Sequence, residues 1–328
     1  MIKSQWYAVL DSKEVKKGRL TGATRMSQKL VFWRDSGGQI HCIFDKCCHR
    51  GASLSAGKLV DGAVECPFHG FQYETTGKVV LIPANGMNAE VPDNFKVNSY
   101  LAKEAYGLVW IWYGEDRENV PEIPFFQELK SGFFYGGFSE TWPVHYSRAI
   151  ENQLDVVHLP FVHKTTIGRG NRTLVNGPVV KWQDNLMTFY VKNQTDRGQS
   201  PEKPGEILDY EKLFSLQFQM PNLWQNVISP NFRIVAIFAP IDEENTHIYI
   251  RSYRKGKLPL LFNWISDFVG NVGNKVILHQ DRRVVITQIP KKTELSMKEN
   301  LIQGDLPIIE YRKRREKLKS KSERQRDC

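Results

Sequence analysis

Residues 45–53 read DKCCHRGAS and residues 64–71 read VECPFHGF. Together they space Cys47-x-His49, then sixteen residues, then Cys66-x-x-His69. Each half reads as a tight loop between strands, and two such loops side by side converge two thiolates and two imidazoles. A single Cys or His is usually a satisfied core residue. Four soft ligands in two matched loops are a metal site instead. The set suits tetrahedral zinc. It equally suits a [2Fe–2S] cluster with the cysteines on one iron and the histidines on the other. Ligand count alone does not separate the two.

Working outward, residues 1–115 read as short strands with turn punctuation. Candidates are Trp6–Leu10, Leu30–Trp33, Ile40–Phe44, Ala63–Cys66 and Leu108–Trp112, broken by 35–38 (DSGG) and Asp61-Gly62. This is a small all-β module. The polar, proline-containing stretch 114–124 (GEDRENVPEIP) marks the boundary to a second domain, 116–310. There, residues 147–159 have helical periodicity stopped near Pro160. Residues 212–219, 232–240 and 246–254 alternate as antiparallel strands, with a turn at Asp242–Asn245. A long helix is expected from Pro259 to Gln288, with Gly270 and Gly273 as points of interruption. The fold class is therefore α+β, a sheet with helices gathered on one side.

The second domain carries its own constellation, ENQLDVVHLPFVH at 151–163. Asp155 and His158 share a helical face, whereas His158 and His163 stand about 140° apart on a regular helix. Pro160 disturbs that helix and lets both imidazoles turn to one point. A carboxylate from elsewhere completes a two-histidine, one-carboxylate triad, which leaves coordination positions open and suits non-haem Fe(II). Asp281, in HQDRRVVITQ, is the candidate. On composition alone it also reads as a solvated helix residue beside Arg282 and Arg283.

Cys-x-His-Arg-Gly followed by Cys-Pro-Phe-His-Gly resembles the signature of Rieske iron–sulfur domains. The likeness continues in Phe71-Gln72-Tyr73, Gly77-Lys78, Ile82-Pro83-Ala84 and Gly107-Leu108-Val109-Trp110. Two departures are Cys48, where that family usually has proline, and Phe71, where it often has tryptophan. Cys47 keeps the ligand spacing, so Cys48 reads as an unligated thiol, while Cys42 and Cys328 read as core or surface cysteines. Asn152-x-x-Asp155-x-x-His158-x-x-x-x-His163 and the later Gln-Asp-x-x-x-Val-x-x-Gln resemble the catalytic domain of Rieske non-haem iron oxygenase alpha subunits. Nearly the whole chain is covered in order.

The resemblance implies an N-terminal all-β Rieske domain followed by a helix-grip catalytic domain, an antiparallel sheet with a long helix. It implies a [2Fe–2S] cluster on Cys47, His49, Cys66 and His69, and a mononuclear Fe(II) on His158, His163 and Asp281. Asp155 takes the role of electron bridge, accepting hydrogen bonds from His158 and from His69 of a neighbouring subunit, in a head-to-tail homotrimer. Such a ring is expected because one chain's cluster is too far from its own iron. Asn152 is placed near the iron or its substrate. Phe161, Met220, Trp224, Asn226, Asn231, Phe238 and Phe268 are expected pocket liners. The short chain is similar to the compact monooxygenase branch, which includes vanillate and dicamba O-demethylases and saxitoxin-pathway hydroxylases.

The expected activity is monooxygenation of a small organic substrate, by hydroxylation or oxidative demethylation, with O2 as co-substrate. No nucleotide-binding signature is found. Electrons from NAD(P)H would therefore arrive only indirectly, through a separate reductase or ferredoxin. Alternatives are a cis-dihydroxylating aromatic dioxygenase, a non-catalytic Rieske electron carrier with a ligand-binding domain, and a zinc-stabilised binding protein. No apolar run is long enough to span a bilayer and no signal peptide is legible, so a cytoplasmic protein with no membrane partner is expected. The formal charge of +9 raises nucleic acid as a partner. However, residues 311–328 hold nine Lys+Arg against three Asp+Glu, and the rest of the chain carries only +3. The excess reads as a solvated basic C-terminal tail, and no recognition motif accompanies it.

Overall fold

A computed structural model describes residues 1–115, 118–256 and 260–324, the side chains of 260–269, 323 and 324 excepted. The chain forms two compact units. One is Lys3–Ile123 with Pro240–Asp242; the other is Met1–Ile2, Pro124–Ala239 and Glu243–Cys328.

The smaller unit is built of short antiparallel strands. One sheet orders Gln5–Asp11, Leu108–Tyr113 and Ala102–Ala105, and a second orders Thr21–Arg25, Gln28–Arg34, Ile40–Phe44 and Ser99–Tyr100. A third orders Lys58–Val60, Ala63–Glu65, Gln72–Tyr73 and Val79–Leu81. Tight two-residue turns at Met26–Ser27, Asp61–Gly62 and Tyr106–Gly107 put both residues at positive φ, the conformation that matches strand twist in a hairpin. Val31, Trp33, Ile43, Leu54, Val64 and Tyr73 pack one core, and Cys47 and Cys66 are part of it.

The larger unit holds a seven-stranded sheet among the described residues. Its order is Phe133–Trp142, Thr246–Lys255, Phe232–Pro240, Leu223–Ser229, Phe214–Gln219, Leu186–Gln194 and Leu174–Gln183. Three of these strands were expected; the other four add to them. Four α-helices among the described residues accompany the sheet: α1 (Tyr146–Leu154), α2 (Leu159–Val162), α3 (Leu260–Val285) and α4 (Leu306–Arg324). Together these two units are the α+β fold the sequence suggests. No helix of the described residues is long and apolar enough to cross a membrane.

Three expectations are corrected. The helix expected to run to 159 ends at Leu154, where Asp155 turns to extended backbone. Pro160 does not stop it; it sits in the first turn of α2, where its missing N–H would have no helical partner anyway. Gly270 and Gly273 do not interrupt α3, which is continuous. The basic stretch expected as a solvated tail is α4 as far as Arg324, with Tyr311, Arg312 and Arg315 buried. Arg312 makes a two-pronged bond to Glu151 of α1, at 2.9 and 2.7 Å, and pairs with Glu299 at 2.7 Å. Arg312 persists buried because these carboxylates satisfy it.

Candidate metal centres

The two cysteine loops share one hydrogen-bond frame. Cys47 N–H donates to Ala52 O and Gly51 N–H donates to Cys47 O, at 2.8 and 2.9 Å. Cys66 N–H donates to Phe71 O and Gly70 N–H donates to Cys66 O, at 2.8 and 3.1 Å. Gly51 and Gly70 close the loops at φ of +78° and +72°, a backbone that other L residues rarely adopt. The frame turns both cysteines inward, at 3% and 2% exposure, while His49 and His69 are exposed. The two imidazole centroids lie 4.7 Å apart, and His49 stacks on Phe71.

These residues fit a histidine-ligated cluster. Cys47 and Cys66 are free thiols in mutual contact. Burial, then the adjacent Cys47 thiol, push Cys66 up as a protonated group. A bound cation removes that penalty by holding both as thiolates. The sulfur donors lie buried, and the imidazoles stand on the solvent side.

In the larger unit, Asp155 breaks α1 with its own carboxylate. Its Oδ1 accepts from the backbone of Val157 at 2.6 Å and of His158 at 3.2 Å, an Asx-type turn. Its Oδ2 lies 3.6 Å from His158 Nδ1, an ionic contact rather than a hydrogen bond, and its side chain is 29% exposed. His163 caps the C-terminus of α2, and Asp281 lies on α3. Asp281 Oδ1 is 2.9 Å from His163 Nε2 and 3.4 Å from His158 Nε2, with the three donor atoms within 4.8 Å of one another.

The cation-seeking character of this trio shows in two ways. Asp281 Oδ1 is buried, and no hydrogen bond of good geometry satisfies it. Burial opposes the charged form of His158, yet Asp155 and Asp281 push it up to about 9. Both carboxylates are held below the usual range despite burial, Asp155 by His158, and Asp281 by His158 and His163. Two imidazoles and one carboxylate converging on one point are the donor set of a non-haem iron centre.

Other expected residues fall elsewhere. Asn152, on α1, has a buried Nδ2 without a partner, while its neighbour Gln153 reaches Asp281 Oδ2 at 3.4 Å. Met220, Trp224 and Phe238 belong to the main core, with Leu278 and Val285. Trp224 and Asn226 share a sheet face, and Trp224 Nε1 and Asn226 Oδ1 are buried without partners. Phe161 is 62% exposed on the single turn of α2, and Asn231 is exposed in the turn after Leu223–Ser229. The Phe268 side chain and Cys328 lie outside the described residues.

Two partners were missed. Gln280 Oε1 accepts from His163 Nδ1 and from Thr166 Oγ1, each at 2.8 Å. Gln280 stands in the Gln-Asp motif, so its position was visible but its role was not. Tyr73 donates to Cys47 Sγ at 3.1 Å; its place in the Phe71-Gln72-Tyr73 likeness was visible, but its role was not.

Known proteins match this arrangement. Residues 5–100 match the Rieske [2Fe-2S] domain, and residues 142–321, more than half the chain, match the vanillate O-demethylase oxygenase C-terminal domain. "Protein TIC 55, chloroplastic" from Pisum sativum is 28% identical over 329 residues, covering 96% of this chain and 58% of that protein. The chain thus spans less than two thirds of that relative. Methylxanthine N1-demethylase NdmA of Pseudomonas putida is 25% identical over 321 residues, 96% of this chain and 88% of that one. The solved structure of Pseudomonas putida CBB5 NdmA with caffeine superposes with a TM-score of 0.78 at 23% identity, over 97% of this chain and 91% of that one. A Rieske domain followed by this oxygenase domain, on this fold, places the chain in the Rieske non-haem iron oxygenases, in the group with the vanillate O-demethylase oxygenase C-terminal domain.

Proposed function

We propose that the chain is the oxygenase component of a monooxygenase system that hydroxylates or oxidatively demethylates a small organic substrate. Residues 1–115 handle electrons and residues 116–310 handle O2 and substrate. The observation that carries this reading is the buried, unsatisfied Asp281 Oδ1 facing His158 Nε2 and His163 Nε2.

Cys47, His49, Cys66 and His69 would hold a [2Fe–2S] cluster, and His158, His163 and Asp281 a mononuclear Fe(II). When bound, the cluster supplies single electrons and the ferrous ion supplies O2 activation. The chain's own residues set the conditions. Gln280 accepts the Nδ1 proton of His163 and thereby fixes the tautomer that presents Nε2. Asp155 faces His158 Nδ1 at 3.6 Å, an electrostatic contact, and keeps part of its carboxylate open to solvent. That open carboxylate and the exposed His69 support a head-to-tail homotrimer in which the two meet between subunits. Trp224 Nε1 and Asn226 Oδ1 offer a donor and an acceptor to orient a polar substrate group. A separate reductase or ferredoxin completes the system, because the sequence carries no nucleotide-binding signature. A cytoplasmic setting belongs to the same proposal.

The test is reconstitution with iron and sulfide, followed by EPR of the reduced protein and turnover with a surrogate reductase. Methylated aromatics, amines and alkaloids serve as substrates, and formaldehyde release separates demethylation from hydroxylation. A colourless protein without a reduced-state signal would overturn the reading.

A further inference from the structure

Cys48 belongs to neither donor set, yet it touches one. Tyr73 is fully buried, and its hydroxyl is the meeting point of two adjacent cysteines. The phenol oxygen lies 3.1 Å from Cys47 Sγ and 3.2 Å from Cys48 Sγ, and it accepts the Cys48 backbone N–H at 3.0 Å.

A phenol has one proton to donate. Cys47 as a metal-bound thiolate only accepts, so the proton goes to it. The phenol oxygen is then left to accept from Cys48, through the backbone N–H and the thiol S–H. Donation into an oxygen polarises its own O–H and strengthens the bond that O–H makes. A stronger bond to a cluster sulfur stabilises the more negative, reduced cluster, and hydrogen bonds to the sulfurs are among the factors that set the potential.

We propose that Cys48 raises the reduction potential of the cluster by donating to Tyr73, a role that rests on the cluster assignment above. Cys48 is a positioning residue here: it acts through Tyr73. The thiol donation is particular to cysteine, and the backbone donation is open to any residue but proline. Proline at the same place has neither an N–H nor a thiol, and alanine keeps the N–H alone. Because Cys48 is exposed while Tyr73 is buried, the donor side can be altered without opening the core.

The test is an EPR-monitored redox titration of the full-length, cluster-loaded protein. Cys48→Pro is expected to move the midpoint potential to more negative values, and Cys48→Ala to move it the same way by less. Tyr73→Phe should also lower the potential, and adding either Cys48 substitution to it should produce no further shift. If Cys48→Pro does not load its cluster, Cys48→Ala decides the matter. An unmoved midpoint in the loaded Cys48 variants, or the same shift in the Tyr73→Phe background, overturns the proposal. Absence of any reduced-state signal from the unsubstituted protein overturns the cluster assignment instead.

Discussion

The cysteine–histidine centre and the histidine–aspartate centre are built by opposite means. The first is local. Each loop supplies its ligands within four residues and closes on the same pair of backbone bonds, with a left-handed glycine at the same place. The second repeats nothing. His158 follows a carboxylate-broken helix, His163 ends a single turn, and Asp281 arrives from α3 more than a hundred residues later. A local frame holds its geometry whatever happens elsewhere. An assembled one inherits the stability of every helix that brings it together.

That contrast can be broken experimentally. The largest effect is expected from Asp281→Ala, which should abolish ferrous binding and turnover, a loss beyond the roughly 100-fold that outer partners cost. Its reduced cluster should keep an unchanged EPR signal; loss of that signal too would show the centres to be coupled. Next comes Arg312→Met, which leaves Glu151 buried without its two-pronged partner. Urea unfolding followed by circular dichroism should show a loss of about 3–5 kcal/mol. Ferrous affinity should fall in that variant while the cluster's visible absorption holds.

Gln280→Leu should weaken ferrous binding by roughly 10–100-fold in a metal-competition assay, and Gln280→Glu, which keeps the acceptor, should recover most of it. Equal affinities in the three proteins would remove Gln280 from the centre. The smallest effect is one of pH. Burial opposes ionisation of Glu299, but Arg148 and Arg312 outweigh it and hold the carboxyl below its usual range. A depressed pKa contributes stability that is present above the unfolded value and lost as pH falls through the folded one. The melting temperature should therefore hold down to about pH 4.5 and decline below it. Arg312→Met should flatten that decline, as read by melts at stepped pH.

The same contrast explains what the sequence made legible. Cys47, His49, Cys66 and His69 are readable because ligand, spacing and loop lie in two short stretches. Asp155 was readable as a partner of His158, but not as the residue that ends α1, because its capping bonds depend on a backbone already turned. Phe133–Trp142 escaped notice because Gly136-Gly137 reads as a break. Yet a Cβ on Gly137 would collide with the Ile250 carbonyl oxygen, so the glycine serves the strand. Met26–Ser27 makes a hairpin turn with no glycine to announce it. The basic C-terminal stretch read as solvated because Arg312 meets Glu151 across 161 residues, a distance no local pattern spans.

The clasp of α4 on α1 also orders events during synthesis. The cysteine loops are complete by residue 71, whereas Glu151 has no Arg312 until α4 emerges. At ~5–20 residues per second, the roughly 240 residues between them take about 12–50 s to translate. A nascent chain thus carries both cysteine loops throughout that interval before α4 can clasp α1.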